Sequence, residues 1–412
     1  MEKHELQGTD TKGYLPNVNN GDDSLGGMNV LVTNGNYLHT LGVVRSLGQA
    51  GATVYCLAPT TNSIALHSRY CAGGFIGPPD TDGEAYVAFL ERVLTENSFD
   101  LLMPIGALAT RIVSQHRERF AGLIHFEIAE HQAFETAYSK RQTYALAEKV
   151  GVPYPKTVYP QSLDEVEQLA REFQYPVVIK AILEEGANVV RYPKNREELL
   201  AQYRLLCQER GYVAPLLPML QEFIYSDDIG YSFCALYQKG TCKRVFMYRE
   251  LRSYPIRGGS STYAESYYGE DLKTFGTALL DALEWNGVAH MDFRRDAQGR
   301  LRLMEINPKF WASLELALAA GIDFPALLCQ MANGRQLDVS DDYQVGIRYH
   351  WPLSKELRHV AQNPKSLPKV LGSCLDPRTK SNLWLSDLKP SVVEFVSTVQ
   401  SFWRHRPWSR RP

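Results

Sequence analysis

Several things that would classify a sequence quickly are missing from this one. Its seven cysteines (Cys56, Cys71, Cys207, Cys234, Cys242, Cys329, Cys374) form no C-x-x-C pair. That excludes a zinc ribbon, argues against a disulfide framework and points to a reducing, cytoplasmic compartment. There is no excess of either charge. Lys+Arg (44) and Asp+Glu (46) give a formal net charge of −2, which offers no basic field to nucleic acid. No apolar run reaches about 18 residues, so no transmembrane helix is expected. The N-terminus has no signal-peptide core. The ten histidines are dispersed without metal-ligand spacing. No internal repeat is visible. The first strand–turn–helix passage, Met28–Thr33 into Asn34–His39, lacks G-x-G-x-x-G, so the dinucleotide fingerprint is absent as well.

What is present is a soluble globular composition, 44% hydrophobic and 22% charged. At 412 residues the chain exceeds one ordinary core. Residues 1–27, rich in Gly, Asn and Asp, read as a disordered leader. From Met28 an apolar strand, a helical pattern over Leu41–Ala50 and a second strand over Thr53–Leu57 form a βαβ unit with a parallel sheet. Helices near Glu84–Asn97 and Leu108–Arg119 flank a strand over Asp100–Pro104. A ligand of such a sheet would sit at its carboxyl edge, near Asn34–His39 and Ile105–Ala107. His39 itself reads as a helix-entry polar residue.

From about Phe134 the texture becomes α+β. A helix follows Ser139, a possible N-cap. Val177-Val-Ile-Lys180 is an apolar strand ending in a lysine, and a lysine there needs an anionic partner. The tight loop Glu184–Asn188 follows, and Leu217–Ile224 is a strand running into the acidic turn Ser226–Asp228. Antiparallel strands over Gly230–Tyr237 and Lys243–Arg249 are followed by the loop Arg257-Gly258-Gly259-Ser260-Ser261. From about Asp338 the pattern weakens. Gly346–Trp351 reads as one strand, Leu375–Ser381 as a polar loop, and Trp403–Pro412 as a basic, aromatic tail.

The most informative stretch is a hairpin. Gly287–Arg294 and Leu301–Lys309 are β-type runs joined by a turn containing Gly299. Alternation puts His290, Asp292 and Arg294 on one face of the first strand, and Leu303, Glu305 and Asn307 on one face of the second. Pairing brings Asp292, Glu305 and Asn307 together. Two carboxylates and an amide oxygen are hard ligands that suit Mg²⁺, which keeps other positions for phosphate and water.

The ordered set Lys140, Val-Val-Ile-Lys180, a glycine loop, Gln221-Glu-Phe-Ile224, Asp228, Asp292 and Glu305-x-Asn307 resembles the ATP-grasp superfamily. Glu305 lies thirteen positions after Asp292, as in the D-alanine–D-alanine ligase branch. The run Glu305-Ile-Asn-Pro-Lys-Phe-Trp-Ala-Ser313 is similar to carboxylate–amine ligases and carbamoyl-phosphate-synthase-like proteins.

The resemblance implies an α/β (α+β grasp) architecture. A Rossmann-like preATP-grasp domain would span 28–135, an ATP-grasp domain 136–335, and a C-terminal extension with its basic aromatic tail 336–412. Lys140 and Lys180 would contact the nucleotide phosphates, and Gly186 would lie in the phosphate-covering loop. Gln221, Glu222, Phe223 and Ile224 would hold adenine, and Asp228 (or Asp227) the ribose. Asp292, Glu305 and Asn307 would bind Mg²⁺, with Mn²⁺ as a substitute. Arg257, Gly258, Gly259 and Ser260 would form an acceptor-site clamp, with His290 beside it. Arg294, Lys309 and Arg257 would stabilise the transferring group.

Two departures from the family pattern stand out. The phosphate loop has one glycine and two acids, and Lys309 stands where many relatives have Arg. The implied activity is ATP-dependent activation of a small carboxylate as an acyl phosphate, then attack by an amine, with release of ADP and phosphate. Phosphorylation of an enol or hydroxyl, or ATP binding without turnover, stays open. The expected partners are a small carboxylate and an amine, with no nucleic acid. Weak peripheral membrane contact by the tail and homo-oligomer formation also stay open.

Overall fold

A computed structural model describes residues 25–182, 190–225, 229–256 and 259–404. The chain begins with β1 (Asn29–Val32), α1 (Leu38–Gln49), β2 (Thr53–Ala58), a short helical turn over Ile64–His67, β3 (Cys71–Ile76), α2 (Gly83–Glu96) and β4 (Leu101–Met103). These strands form a parallel sheet in the order β3-β2-β1-β4. Next come α3 (Ala107–Gln115), α4 (Arg117–Ala121), α5 (His131–Tyr138) and α6 (Lys140–Lys149). The single helix expected over Leu108–Arg119 is therefore two, broken at His116. Ser139 precedes α6 but makes no side-chain cap bond. Leu25, assigned by sequence to the leader, is buried and donates its N–H to the Ala50 carbonyl at 2.9 Å.

A small antiparallel sheet, β5-β7-β6, follows, from β5 (Thr157–Val158), α7 (Leu163–Leu169), β6 (Val177–Lys180), α8 (Arg196–Arg210) and β7 (Met219–Glu222). The N-caps Ser162 and Asn195 each accept an N–H from the residue three positions on, at 3.1 Å and 2.8 Å. Val166, Ala170, Leu199, Tyr203 and Leu206 bury the two helices against this sheet.

The large sheet runs β12-β11-β8-β9-β10-β13-β14. Its strands are β8 (Gly230–Gln238), β9 (Thr241–Tyr254), β10 (Ser260–Ser266), β11 (Gly287–Arg295), β12 (Leu301–Asn307), β13 (Arg348–His350) and β14 (Thr379–Ser381). Between them lie α9 (Glu270–Asp281), α10 (Leu314–Ala320), α11 (Phe324–Ala332), a wide turn over Pro352–Glu356, α12 (Leu357–Gln362) and α13 (Leu367–Leu375). The chain closes with α14 (Lys389–Arg404). Ser260 and Ser261 belong to β10, and the expected loop over Leu375–Ser381 ends in β14, which pairs in parallel with β13. Residues beyond 338 therefore complete the large sheet.

One core unites the first sheet with the large one. Val30, Val32, Val43 and Leu47 pack with Cys234, Phe246, Trp311, Leu314 and Trp351. Trp311 is 1% exposed. Burying a side chain of that size stabilises by roughly 4–6 kcal/mol at ~25 cal/mol/Å². Among the described residues no single helix is long and apolar enough to cross a membrane.

Candidate active site

The β11–β12 hairpin is built as its alternation demands. Gly299, with φ +76°, turns the chain, and Asp296 accepts the N–H groups of Gln298 and Arg300 at 3.0 Å and 2.9 Å. His290 lies opposite Asn307 and Asp292 opposite Glu305, with a register shift immediately after Asp292. The three candidate ligands meet as a result. Asn307 Nδ2 is 3.3 Å from Asp292 Oδ2 and 3.3 Å from Glu305 Oε1.

Each acid has a support. On the β8 side, Ser232 Oγ donates to Asp292 Oδ1 at 2.8 Å. His290 Nε2 lies 3.3 Å from Asp292 Oδ1 and 3.1 Å from the Tyr248 hydroxyl. Its ring stacks between Tyr248 and Trp311, with centroids 6.1 Å from each. The sequence left His290 open between the substrate site and a position supporting Asp292. It is buried, and its contacts are those of a residue that supports Asp292.

Lys140 begins α6, and its backbone N–H donates to the Ile182 carbonyl at 2.8 Å, tying the helix start to the end of β6. Its ammonium is 3.1 Å from Glu305 Oε2. Lys180 ends β6 and lies in the same field. Burial pushes its ammonium down to about 8, Glu305 opposes that, and Lys140, Arg294 and Asp292 act less strongly. Burial would raise Glu305, but Lys140 and Lys180 outweigh it and hold the carboxyl down to about 2. Arg294 lies opposite Gly230 on the same strand as Asp292.

Gln221 is 1% exposed, and its side chain is used inside the protein. Nε2 donates to the Tyr144 hydroxyl at 3.0 Å and to Thr157 Oγ1 at 2.9 Å. Tyr144 in turn donates to the Met304 carbonyl at 2.7 Å, so the strut reaches from β7 to the ligand-bearing β12. Glu222 is pinned to Lys156 by backbone and side chain, both at 2.9 Å. The half-buried Phe223 sits between Tyr192 and Tyr225, with centroids at 6.0 Å and 5.1 Å, and Ile224 follows. Lys309 donates its N–H to the Asn307 carbonyl at 2.8 Å and acts electrostatically on His39 at the start of α1. Gly259 and the exposed Ser260 open β10. Gly186, Asp228, Arg257 and Gly258 lie outside the described residues, as do Asp227 and the rest of the phosphate loop.

Glu250 was not picked out by sequence reasoning. It projects from β9 over Gly230, whose missing side chain leaves it room, and accepts from the Ser261 hydroxyl. Burial raises its carboxyl to about 7, with the Asp292 charge adding to the rise. Its only signal in sequence is an acid between two arginines in a strand. The long-range neighbours that matter are invisible there. Lys355 was also missed. It lies over the Trp351 ring at 4.1 Å and donates to the Ala312 carbonyl at 3.1 Å, just past the Asn307 motif.

The site thus joins the ends of the small sheet to the open end of the large one. Two ammonium groups face two carboxylates and an amide. Among the described residues no group of three His, Cys, Asp or Glu could hold a metal. The set Asp292, Glu305 and Asn307 is oxygen-rich and includes the amide. Asn307 turns its nitrogen toward the acids, and the same amide turned over presents its oxygen. The donor chemistry fits a hard divalent cation, and the Lys140 ammonium already marks Glu305 as a cation-attracting position.

Two α+β lobes, a preceding parallel α/β sheet and a lysine–carboxylate cleft between the lobes define the ATP-grasp fold. The chain has that fold. A family model described as ATP-grasp in the biosynthetic pathway with Ter operon matches residues 256–352. The chain is 24% identical over 297 residues to D-aspartate ligase from Enterococcus faecium (strain Aus0004), covering 66% of this chain and 69% of that protein. Among solved structures it is similar to the biotin carboxylase domain of Hydrogenobacter thermophilus 2-oxoglutarate carboxylase, bound to MgADP, ADP and bicarbonate. There the TM-score is 0.65 at 18% identity, over 78% of this chain and 73% of that one. It is also similar to L-amino acid ligase from Bacillus licheniformis, with TM-score 0.60 at 16% identity, over 75% of each chain.

Proposed function

We propose that this protein is an ATP-dependent ligase that activates a small carboxylate as an acyl phosphate and joins it to an amine, forming a carbon–nitrogen bond. The observation that carries the reading is the convergence of Lys140 and Lys180 on Asp292, Glu305 and Asn307 across the cleft between the two sheets. The likeness to proteins named as D-aspartate ligase and L-amino acid ligase supports it.

Lys140 and Lys180 are compact charges suited to a polyphosphate that must bind and leave. The backbone of Glu222–Ile224, at the end of β7, would line the nucleotide base. Asp292, Glu305 and Asn307 would hold Mg²⁺, which would neutralise charge on the transferring phosphoryl group. Arg294, on the same strand as Asp292, adds positive charge beside the acceptor. No covalent nucleophile on the protein is required. Positioning and charge account for the catalysis.

The test is a screen of amino acids and other small carboxylates with ATP, Mg²⁺ (or Mn²⁺) and hydroxylamine. A carboxylate that gives a hydroxamate in step with ADP supports the ligase. ADP with a stable phosphorylated product and no hydroxamate shifts the reading to phosphorylation of an enol or hydroxyl. Tight ATP binding without turnover under every acceptor points to a binding module.

Lys180→Ala is expected to raise the dissociation constant of a non-hydrolysable ATP analogue about tenfold or more, at ~1.4 kcal/mol per decade. Calorimetric titration checks it. Unchanged affinity returns Lys180 to a structural role.

A further inference from the structure

Strand β9 brings an acid to the cleft without bringing its counter-ion. On β8 the Ser232 hydroxyl reaches Asp292, so Gly230, two residues earlier, has its open side on the face of the candidate metal ligands. Gly230 lies opposite Arg294 on β11, and its neighbour Tyr231 lies opposite Arg249 on β9. The Glu250 side chain crosses this glycine, with its carboxylate close against the place a Gly230 Cβ would take. Glu250 and Arg294 therefore flank a bare strip of backbone, on strands about 10 Å apart with β8 between them. The buried Ser261 hydroxyl donates to Glu250. Among the described residues no lysine, arginine or histidine forms an ion pair with it. Two nearby cationic side chains are committed elsewhere. Lys355 lies over the Trp351 ring and donates to the Ala312 carbonyl, and His290 lies against Asp292 and Tyr248. Burial and the Asp292 charge disfavour the ionised carboxyl, and Ser261, Arg294 and His290 offset only part of that. A desolvated carboxylate without a counter-charge is costly. A ligand that carries the missing cation removes the cost.

We propose that Glu250 seats the ammonium group of the amine substrate, so that the acceptor is a cationic amine rather than an amide nitrogen or a hydroxyl. This role rests on the ligase reading above. The acyl phosphate of the first step is an anion, and its place is beside Lys140, Lys180, Arg294 and the metal ligands. The row Arg294, Gly230, Glu250 then runs from positive to negative across three strands. A nitrogen held at Glu250 lies over the glycine, on the side from which it must reach the acyl group. A side chain at position 230 would block that approach, and glycine leaves it open. The Ser261 hydroxyl uses one acceptor position of the carboxylate and leaves others for N–H donors. Ammonium-to-carboxylate bonds are charge-assisted, so the pair favours a cation over a neutral group of the same size.

Two small nucleophiles test this. Hydroxylamine is uncharged near neutral pH, and ammonium is a cation. Each is supplied to the full chain with ATP, Mg²⁺ and the carboxylate that the hydroxylamine screen identifies, and the products are a hydroxamate and a primary amide. Glu250→Gln keeps the shape and the Ser261 contact but loses the charge. It is expected to raise the KM for ammonium about tenfold or more, with kcat changed less, and to raise the ratio of hydroxamate to amide by a similar factor. Glu250→Asp keeps the charge and should recover part of the loss. Gly230→Ala also keeps the charge but pushes the carboxylate aside, so it should behave like Glu250→Gln. Circular dichroism checks the fold of each variant. Three results would overturn the assignment of Glu250 while leaving the ligase in place: equal loss of both products in Glu250→Gln, an unchanged KM for ammonium, or hydroxamate but no amide from the unaltered protein. Absence of hydroxamate from the unaltered protein with every carboxylate would instead overturn the ligase reading, and this role with it.

Discussion

Glu305→Gln is expected to lower ATP turnover about a thousandfold while the protein stays folded. Glu305 faces Lys140 at 3.1 Å and shares Asn307 with Asp292. The substitution keeps the shape and the Asn307 contact but removes the charge that the cleft concentrates. A carboxylate lost from a divalent-cation site costs several kcal/mol of transition-state stabilisation, and each ~1.4 kcal/mol is tenfold in rate. The cost to folding is far smaller, about 1 kcal/mol, because Glu305 remains 30% exposed and screened. The pH dependence has a definite sign. The folded-state value, about 2, lies below the ordinary 4.5. Any stability Glu305 adds is present above the ordinary value and lost as pH falls toward about 2. Near neutral pH the group is ionised in both states, so the turnover defect should not be rescued by raising pH. Turnover and circular dichroism on the same sample decide the matter. Near-normal turnover in a folded variant would sink the metal assignment.

Glu305 was legible in sequence because local rules govern it. Two short alternating runs and a glycine turn set a register, and the register alone puts Asp292 opposite Glu305. The two lysines were legible for a similar reason, each ending or beginning an element. What supports them was not. Ser232, Tyr248 and Glu250 reach the site from β8 and β9, and no local pattern reports which strands become neighbours. β3 was missed because Cys71-Ala-Gly-Gly-Phe-Ile76 carries two glycines, which weaken any strand signal, and it holds its place as a sheet edge beside β2. β14 is three polar residues that become a strand only because β13 lies beside them. The periodicity of α14 was present, but periodicity marks an apolar face without saying which way it points.

Arg45 shows the same limit most sharply, and it supports a second large effect. In sequence it is an arginine in an amphipathic helix, with solvent as its natural place. In the structure it is 1% exposed. Its Nε lies 2.9 Å from Asp387 Oδ2, and its other nitrogens donate to the carbonyls of Asn382 at 2.9 Å and Asp387 at 3.0 Å. The Trp384 ring lies 4.7 Å from the guanidinium. Asp387 also accepts from the Ser68 hydroxyl at 2.7 Å and the Arg69 N–H at 2.9 Å. This cluster fastens the C-terminal segment to α1 and the Ile64–His67 turn. Asp387→Asn leaves a guanidinium buried without its counter-charge, so it is expected to destabilise by about 3–5 kcal/mol. Replacing both partners, Arg45→Met with Asp387→Leu, removes the unpaired charge as well and should recover part of the loss. Urea unfolding followed by tryptophan fluorescence measures all three proteins. A loss of under about 1 kcal/mol in Asp387→Asn would place the pair in the class of solvent-screened bridges. A double variant worse than the single one would show that Asp387 acts through its Ser68 and Arg69 contacts rather than through the charge of Arg45.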